Sequence, residues 1–118
     1  ARRARRSRVA PLALADDCGF DFGFCVEHHF NPNESWMPSP SIYCAAAAAH
    51  TTRLRIGTMG FVAPLYDPIR IAEDAAVLDN VANGRLELGL VSGIVPDFFA
   101  LIAPIFKIAA PSLMKPCS

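Results

Sequence analysis

An α/β fold built on parallel strands is predicted for this 118-residue chain, and three observations support it. Segments of strand character alternate with segments of helical character, in the order strand, helix, strand, helix, strand. Each connection between strands is long enough to hold a crossover helix, which parallel pairing requires. Hydrophobic residues make up 53% of the chain, which is enough to build a packed core and argues against disorder.

Local propensity and helix-ending residues define the elements in order. The predicted series is a helix over 10–18, a strand over 21–30, a loop over 31–40, a helix over 41–50, a strand over 54–62, a loop over 63–66, a helix over 67–82 and a strand over 85–91. Gly19 suits the left-handed backbone that ends a helix, and the five-alanine run at 45–49 has strong helical propensity. Three prolines between residues 31 and 40 make that stretch a loop.

The helix after the second strand has the clearest boundaries. Asp67 is expected to be its N-cap, because the side-chain oxygen can accept a hydrogen bond from a free backbone N–H. Pro68 follows at the first helical position, where its missing N–H costs nothing. Apolar residues then recur at three- and four-residue spacing as far as Ala82, so one helix face is expected to be buried. Asn83-Gly84 is expected to end the helix.

Two arrangements of parallel strands fit this order, a doubly wound sheet and a slice of a barrel. The sequence contains neither GxGxxG after a strand nor GxxxxGK[ST], which disfavours a nucleotide-binding doubly wound sheet and favours the barrel. A (β/α)8 barrel has eight strands, so about three strands with crossover helices predict a partial barrel. We divide the chain into an Arg-rich N-terminal segment (1–13), a half-barrel domain (14–99) and an apolar tail that contains prolines (100–118).

The distribution of charge excludes some partners. Five of the eleven basic residues lie in the first eight positions, which leaves residues 9–118 with six basic against eleven acidic residues. Such a surface is unsuited to nucleic acid, because duplex binding relies on a basic face that neutralises several phosphates. No stretch approaches the roughly 18 apolar residues of a spanning helix, so no membrane partner is expected. Four cysteines without a CxxC pair predict reduced, mostly structural thiols and a cytoplasmic location.

The most concentrated chemical feature is the sequence Glu27-His28-His29 near the end of the first predicted strand. Strand alternation places Val26 and His28 on one face and Cys25, Glu27 and His29 on the other. In a parallel barrel the carboxyl ends of the strands surround the active site, and an imidazole there suits proton transfer. The alternative is a pair of hydrogen-bonded histidines without a catalytic role. Adjacent strand histidines cannot both bind one ion, so no metal site is predicted.

Several longer strings follow one another along the chain: GFD, EHHF, SPS, LRIGT, PLYDPIRIAEDAAVLD and NGRLELGL. In their order and spacing they resemble the bacterial luciferase-like family of flavin-dependent monooxygenases, from Leu14 to Gly93. The most specific part is the pattern DPxRxAEDxAxLDxxxxGRLELG, because many fixed positions agree at once. The resemblance implies part of a TIM barrel that binds reduced flavin mononucleotide (FMN), or a deazaflavin in some members. That cofactor would react with O2 and a small organic substrate, or pass a hydride.

The resemblance also implies roles for individual residues. His28 would be the imidazole that assists proton transfer at the flavin and substrate. Met59-Gly60 would occupy the flavin-facing segment, where members of the family often have a cis peptide bond that does not precede proline. Gly57 and Thr58 come just before it, and Thr58 would offer a hydroxyl contact to the flavin.

The resemblance implies different roles for two further positions. Ser92 stands where most relatives have an arginine near the flavin, and we include it among the cofactor-binding candidates. Arg85 matches a strand-start position that we interpret as structural.

The chain is short compared with the family that it resembles, which leaves two hypotheses about function. In the first it is a fragment or truncated member of a flavin-dependent oxidoreductase, and turnover by this chain alone is not expected. In the second it is a noncatalytic half-barrel remnant without a cofactor, which self-associates or pairs with another subunit. The first predicts flavin and a small molecule as partners, and both allow a homo- or hetero-oligomer. The loops that would set the substrate in this family lie after later strands, so the sequence does not identify it.

Overall fold

The computed structural model describes residues 9–31, 33, 37–93 and 100, and the predictions for the first eight residues and the tail fall outside this part of the chain. The elements are α1 (Ala10–Asp17), β1 (Phe22–Cys25), α2 (Pro40–Ala48), β2 (Arg55–Thr58), β3 (Phe61–Val62), a short 3-10 helix (Ala63–Leu65), α3 (Pro68–Val81), β4 (Leu86–Glu87) and β5 (Leu90–Val91). The predicted alternation of strands and helices is therefore confirmed, with the 3-10 helix lying in a stretch predicted as loop.

All strand pairs in the described part of the chain are parallel, as predicted. The order β1-β2-β4 forms one sheet, and β3 pairs with β5 in a second. The register places Ile56 opposite Leu86 in the first sheet and Phe61 opposite Leu90 in the second. Because β3 follows β2 and β5 follows β4 along the chain, the second pair extends two strands of the first sheet.

The sequence predicted one strand over 54–62 and one over 85–91, and the structure divides each into two. The Thr58 hydroxyl explains the break, since it donates to the carbonyl of Gly89 at 3.0 Å and accepts from the N–H of Gly89 at 3.2 Å. The Thr58 side chain thus forms the hydrogen bonds to Gly89 that a backbone group would form in a continuous pair of strands. Regular pairing resumes at Phe61, whose N–H donates to the same Gly89 carbonyl.

The core lies between the sheet and the helices that cover one of its faces. Its buried side chains come from α2, β1, the start of β2 and the end of α3, and include Cys25, Cys44, Ala47, Leu54, Ile56, Leu78 and Ala82. Phe24 and Val26 on the opposite face are 45% and 41% exposed. This is the face that points into the interior when parallel strands close a barrel.

The boundaries of α3 are those that local chemistry predicts. The Asp67 carboxylate accepts the N–H of Ile69 at 2.8 Å, and Pro68 opens the helix. At the other end Asn83 and Gly84 both have positive φ, at 54° and 75°, which directs the chain out of the helix. No helix in the described part of the chain combines the length and the apolarity needed to cross a membrane.

At the amino ends of the strands, Arg85 holds the chain between α2 and β2. Its guanidinium donates to the carbonyls of Ala48, Thr51, Leu54 and Ala82 and to the Thr51 hydroxyl, at 2.7–3.2 Å. These hydrogen bonds to backbone carbonyls and to one hydroxyl agree with the structural role expected for this residue.

Asp16, at the end of α1, supports the same stretch of chain. Its carboxylate accepts the backbone N–H groups of Thr52 at 2.6 Å and Leu54 at 2.7 Å, and that of Arg53 at 3.2 Å. These bonds, with the one from Thr52 first, lower the pKa of Asp16. A single surface carboxylate thus fixes the entry of the chain into β2.

Candidate functional site

The predicted site residues all lie toward the carboxyl ends of the parallel strands. They are His28, Gly57, Thr58, Met59, Gly60 and Ser92. His28 follows β1, and Ser92 follows β5. The other four residues, 57–60, span the junction of β2 and β3. Because neighbouring parallel strands end at the same edge, the topology brings this set to one end of the sheet.

Met59 is one of the exposed apolar residues at this end. Its side chain is 65% exposed, while its N–H donates to the Cys25 carbonyl at 2.7 Å. The Met59–Gly60 peptide bond is cis, as the resemblance implied. Cys25 pairs with Thr58, so the next residues of the two strands, Val26 and Met59, come side by side, and both are exposed.

Gly57 and Gly60 are glycines for a reason of space. A Cβ at Gly60 would overlap the backbone of Gly89 on the neighbouring strand. A Cβ at Gly57 would overlap the carbonyl oxygen of Glu87 and lie 2.7 Å from the Phe24 ring. Close approach of the strands therefore requires glycine at both positions, whatever ligand the site takes.

Thr58 is buried and its hydroxyl is already engaged. The residue is 1% exposed, and its single hydroxyl proton is donated to the Gly89 carbonyl. A hydroxyl has one proton to donate, so none remains for a ligand in this arrangement. The structure therefore places Thr58 as a link between β2 and the turn from β4 to β5.

His28 and Ser92 lie at the rim of this end. His28 is half-buried, and its backbone N–H donates to the Met37 carbonyl at 3.1 Å, which ties the end of β1 to the loop before α2. Ser92 is exposed and lies directly after β5. Among the described residues, no group of three histidine, cysteine or acidic side chains is placed to hold a metal ion.

Glu27 is the functional candidate that the sequence analysis did not select. Its side chain is fully buried, and three donors converge on the carboxylate. Oε1 accepts from His29 Nε2 at 2.7 Å and from the Tyr66 hydroxyl at 2.8 Å, while Oε2 accepts the Val62 N–H at 2.8 Å. Alternation had placed Glu27 and His29 on one face, which was the available signal for this pair.

The environment of Tyr66 keeps its phenol protonated. Burial, followed by the hydrogen bond to the Glu27 carboxylate, raises the pKa of Tyr66 above its ordinary value. The ring also packs edge-on against Phe61, with centroids 5.4 Å apart. Tyr66 is therefore a fixed hydrogen-bond donor to Glu27 at neutral pH.

A pair of buried thiols lies behind this end of the sheet. The sulfur atoms of Cys25 and Cys44 are 3.7 Å apart, and the Cys44 thiol lies 3.7 Å from the Gly57 carbonyl. The hydrogen bond with Cys25 and burial raise the pKa of Cys44. These are thiols packed in the core between β1 and α2, and not nucleophiles open to solvent.

Comparison with known proteins identifies a family and several relatives. A family model described as luciferase-like monooxygenase matches residues 4–102. The alkanal monooxygenase beta chain of Photobacterium leiognathi is 38% identical over 96 residues, covering 77% of this chain and 29% of that protein. The oxygenase component of a flavin-dependent trigonelline monooxygenase from Acinetobacter baylyi is 38% identical over 80 residues, covering 68% of this chain and 22% of that protein.

A solved structure shows the same arrangement. It is the oxygenating constituent of 3,6-diketocamphane monooxygenase from Pseudomonas putida, described as a type II Baeyer-Villiger monooxygenase in complex with FMN. The TM-score is 0.75 at 26% identity, over 84% of this chain and 29% of that one. The parallel strands and crossover helices are thus part of a (β/α)8 barrel, as predicted. The chain spans between 22% and 29% of the length of these relatives.

Proposed function

The chain belongs to the luciferase-like monooxygenase family, and from that premise we propose that it supplies the first strands of a flavin-dependent monooxygenase site. The proposed cofactor is reduced FMN, or a deazaflavin as in some relatives, and the proposed substrate is a small organic molecule. The observation that carries the proposal is the meeting of the family's motif residues at one end of the parallel strands. Bound reduced flavin supplies the electrons that activate O2 or reduce a substrate.

The exposed face at this end suits a flat aromatic ring. Phe24, Val26 and Met59 offer apolar side chains on the face opposite the helices, and each is at least 41% exposed. Flavin pockets need such a surface together with a few polar groups that fix orientation. The described residues beside Ser92 include no arginine or lysine, so a phosphate group would be held by other parts of a complete barrel.

The proposal assigns a separate task to each residue of this end. His28 moves a proton at the flavin or the substrate, since an imidazole exchanges protons near neutral pH. Met59 and Ser92 face the cofactor from two neighbouring strands. Gly57 and Gly60 permit the close approach of those strands, and Thr58 holds the turn at Gly89 through its hydroxyl.

An equilibrium titration of the purified chain with oxidised and reduced FMN tests this proposal, followed by flavin fluorescence. Saturable binding below about 1 mM is expected, corresponding to about 4 kcal/mol of binding free energy. His28→Ala and Met59→Ala are each expected to weaken it by about fivefold, or about 1 kcal/mol.

Matched controls come from the far side of the molecule. His50→Ala removes an exposed imidazole at the end of α2, and Leu14→Ala removes an exposed apolar side chain from α1. Both are expected to leave FMN affinity unchanged. A folded chain without saturable binding, or equal losses in the test and control variants, would contradict the proposal.

A second candidate function is a noncatalytic half-barrel that pairs with another subunit or a second copy. The observation in its favour is the exposure of large apolar side chains on the open sheet face, such as Phe22, Phe24 and Leu90. Sedimentation velocity over a concentration series distinguishes the two. Stable self-association without flavin binding would favour this candidate, whereas a monomer that binds FMN would favour the first.

A further inference from the structure

We propose that Glu27 is a positioning residue that fixes His28 and the Met59–Gly60 segment relative to each other. The inference rests on the proposed function, because those two segments form the proposed flavin site. Glu27 itself is buried and does not touch the ligand in this proposal. It acts through His29, Val62 and Tyr66.

The geometry supports this role because the carboxylate joins two separate stretches of chain. Glu27 directly precedes His28, and Val62 lies two residues after Gly60. The bond from the Val62 N–H to Oε2 therefore connects the end of β1 to β3, across 35 residues of sequence. A shift of the Glu27 side chain would displace both stretches.

The two side-chain donors give the carboxylate a single orientation. His29 Nε2 and the Tyr66 hydroxyl both donate to Oε1, at 2.7 and 2.8 Å. Since a carboxylate oxygen has no proton to donate, His29 Nε2 carries the proton of this hydrogen bond. The tautomer and ring orientation of His29, the neighbour of His28, are thereby set by Glu27.

The Glu27 carboxylate can accept hydrogen bonds from all three donors, whereas a glutamine amide cannot. Carboxylate oxygens only accept, and here they accept three N–H or O–H groups. Glutamine has the same shape but a single acceptor oxygen. With that oxygen toward His29 and Tyr66, its NH2 group would face the Val62 N–H, so Glu27→Gln breaks the connection to β3 without removing volume.

NMR of the isotope-labelled full chain tests the inference without requiring activity. In the wild type, the His29 Nε2–H proton is expected as a resonance protected from exchange with water. In Glu27→Gln that resonance is expected to move upfield, because a neutral amide oxygen accepts a weaker hydrogen bond than a carboxylate oxygen, and the amide resonances of both His28 and Met59 are expected to shift. Glu73→Gln is the matched control, because Glu73 is an exposed carboxylate on α3 that contacts Arg70.

The same variants are titrated with FMN. Glu27→Gln is expected to weaken binding by about tenfold, since small displacements of site groups have large effects. Glu73→Gln is expected to leave the affinity within about twofold of the wild type, as surface pairs contribute little. A folded Glu27→Gln variant with an unchanged His29 resonance, or with unchanged His28 and Met59 amides, would overturn the inference.

Two further outcomes separate the inference from its premise. If the wild type binds no FMN, the proposed function fails, and the shifts at His28 and Met59 still decide whether Glu27 positions them. If Glu27→Gln does not fold, the Tyr66→Phe variant tests the inference instead. Tyr66 and His29 share Oε1, so loss of the phenol is expected to strengthen the His29 bond and move its Nε2–H resonance downfield, and an unchanged resonance would overturn the inference.

Discussion

The two ends of the parallel sheet use charged side chains for different purposes. At the amino ends, Arg85 and Asp16 hydrogen-bond mainly to backbone groups of the chain that leads into β2. At the carboxyl ends, Glu27 is fully buried and binds two titratable side chains, His29 and Tyr66, besides one backbone N–H. The first arrangement fixes where a strand begins, whereas the second also fixes side chains that can carry out chemistry.

This difference is the one that our proposal of a ligand site at the carboxyl ends predicts. A charge that is spent on backbone groups stabilises the fold and has no group left to offer a ligand. A buried carboxylate that orients an imidazole serves chemistry, because it determines which ring nitrogen donates. In (β/α)8 barrels the carboxyl ends of the strands are the catalytic side, and the contrast observed here follows that division.

The largest expected effect comes from adding a side-chain atom at Gly60, where two strands lie close together at the carboxyl end of the sheet. Gly60→Ala places a Cβ against the backbone of Gly89, which has no room to move without breaking the strand pair. We expect a loss of about 3 kcal/mol or more in the free energy of unfolding. Urea denaturation measures this loss of stability.

Gly84→Ala is the matched control for that substitution. It adds a methyl group where no heavy atom lies within 4 Å, and its cost, about 1 kcal/mol, comes from the positive φ alone. Equal losses in the two variants would show that the strand contact at Gly60 is not the cause.

The next largest effect lies at the amino ends. Arg85→Ala removes the guanidinium that bonds to four carbonyls and one hydroxyl, so we expect a loss of about 2–3 kcal/mol in the free energy of unfolding. Arg70→Ala, which removes an exposed ion pair, is expected to cost less than about 0.5 kcal/mol. FMN affinity of the folded Arg85→Ala protein is expected to be unchanged, and a large loss of affinity would contradict the separation of the two ends.

A smaller effect is expected from Tyr66, and it depends on pH. The pKa of Tyr66 is raised in the folded protein, so its contribution is fully present below the unfolded value near 10 and is lost as pH rises above it. Tyr66→Phe is expected to be less stable by about 1 kcal/mol at pH 7. The difference should shrink between pH 10 and 12, as measured by urea denaturation at each pH, and a constant difference would contradict this origin.

The smallest effect is expected from Asp16, which lies at the surface. Its pKa is lowered in the fold, so its contribution is present above the unfolded value of 3.8 and is lost as pH falls below it. Asp16→Asn should therefore show a flatter dependence of unfolding on pH between about 2 and 4. Parallel curves for wild type and variant would show that the backbone N–H groups of Thr52 and Leu54 do not depend on this charge.

Local chemistry made much of the fold predictable. The ends of α3 follow from Asp67 with Pro68 and from Asn83 with Gly84, all of which act within a few residues of themselves. The parallel order follows from the length of the connections. Such features depend on residues that are close together in the chain, so they can be predicted from the sequence alone.

The features that were missed depend on residues far apart in the chain. The division of two predicted strands follows from the Thr58 hydroxyl meeting Gly89, 31 residues away. The contact of Glu27 with Tyr66 spans 39 residues. No periodicity or local propensity encodes which side chain reaches across the sheet, so Glu27 was noticed only as part of a motif.

The central claim is that the carboxyl ends of the strands form the ligand site and the amino ends only support it. NMR amide shifts recorded while FMN is added to the full chain test this most directly. We expect concentration-dependent shifts confined to residues 26–29, 57–62 and 88–92. Shifts centred instead on residues 16–17 and 48–55, or none in a folded chain, would contradict it.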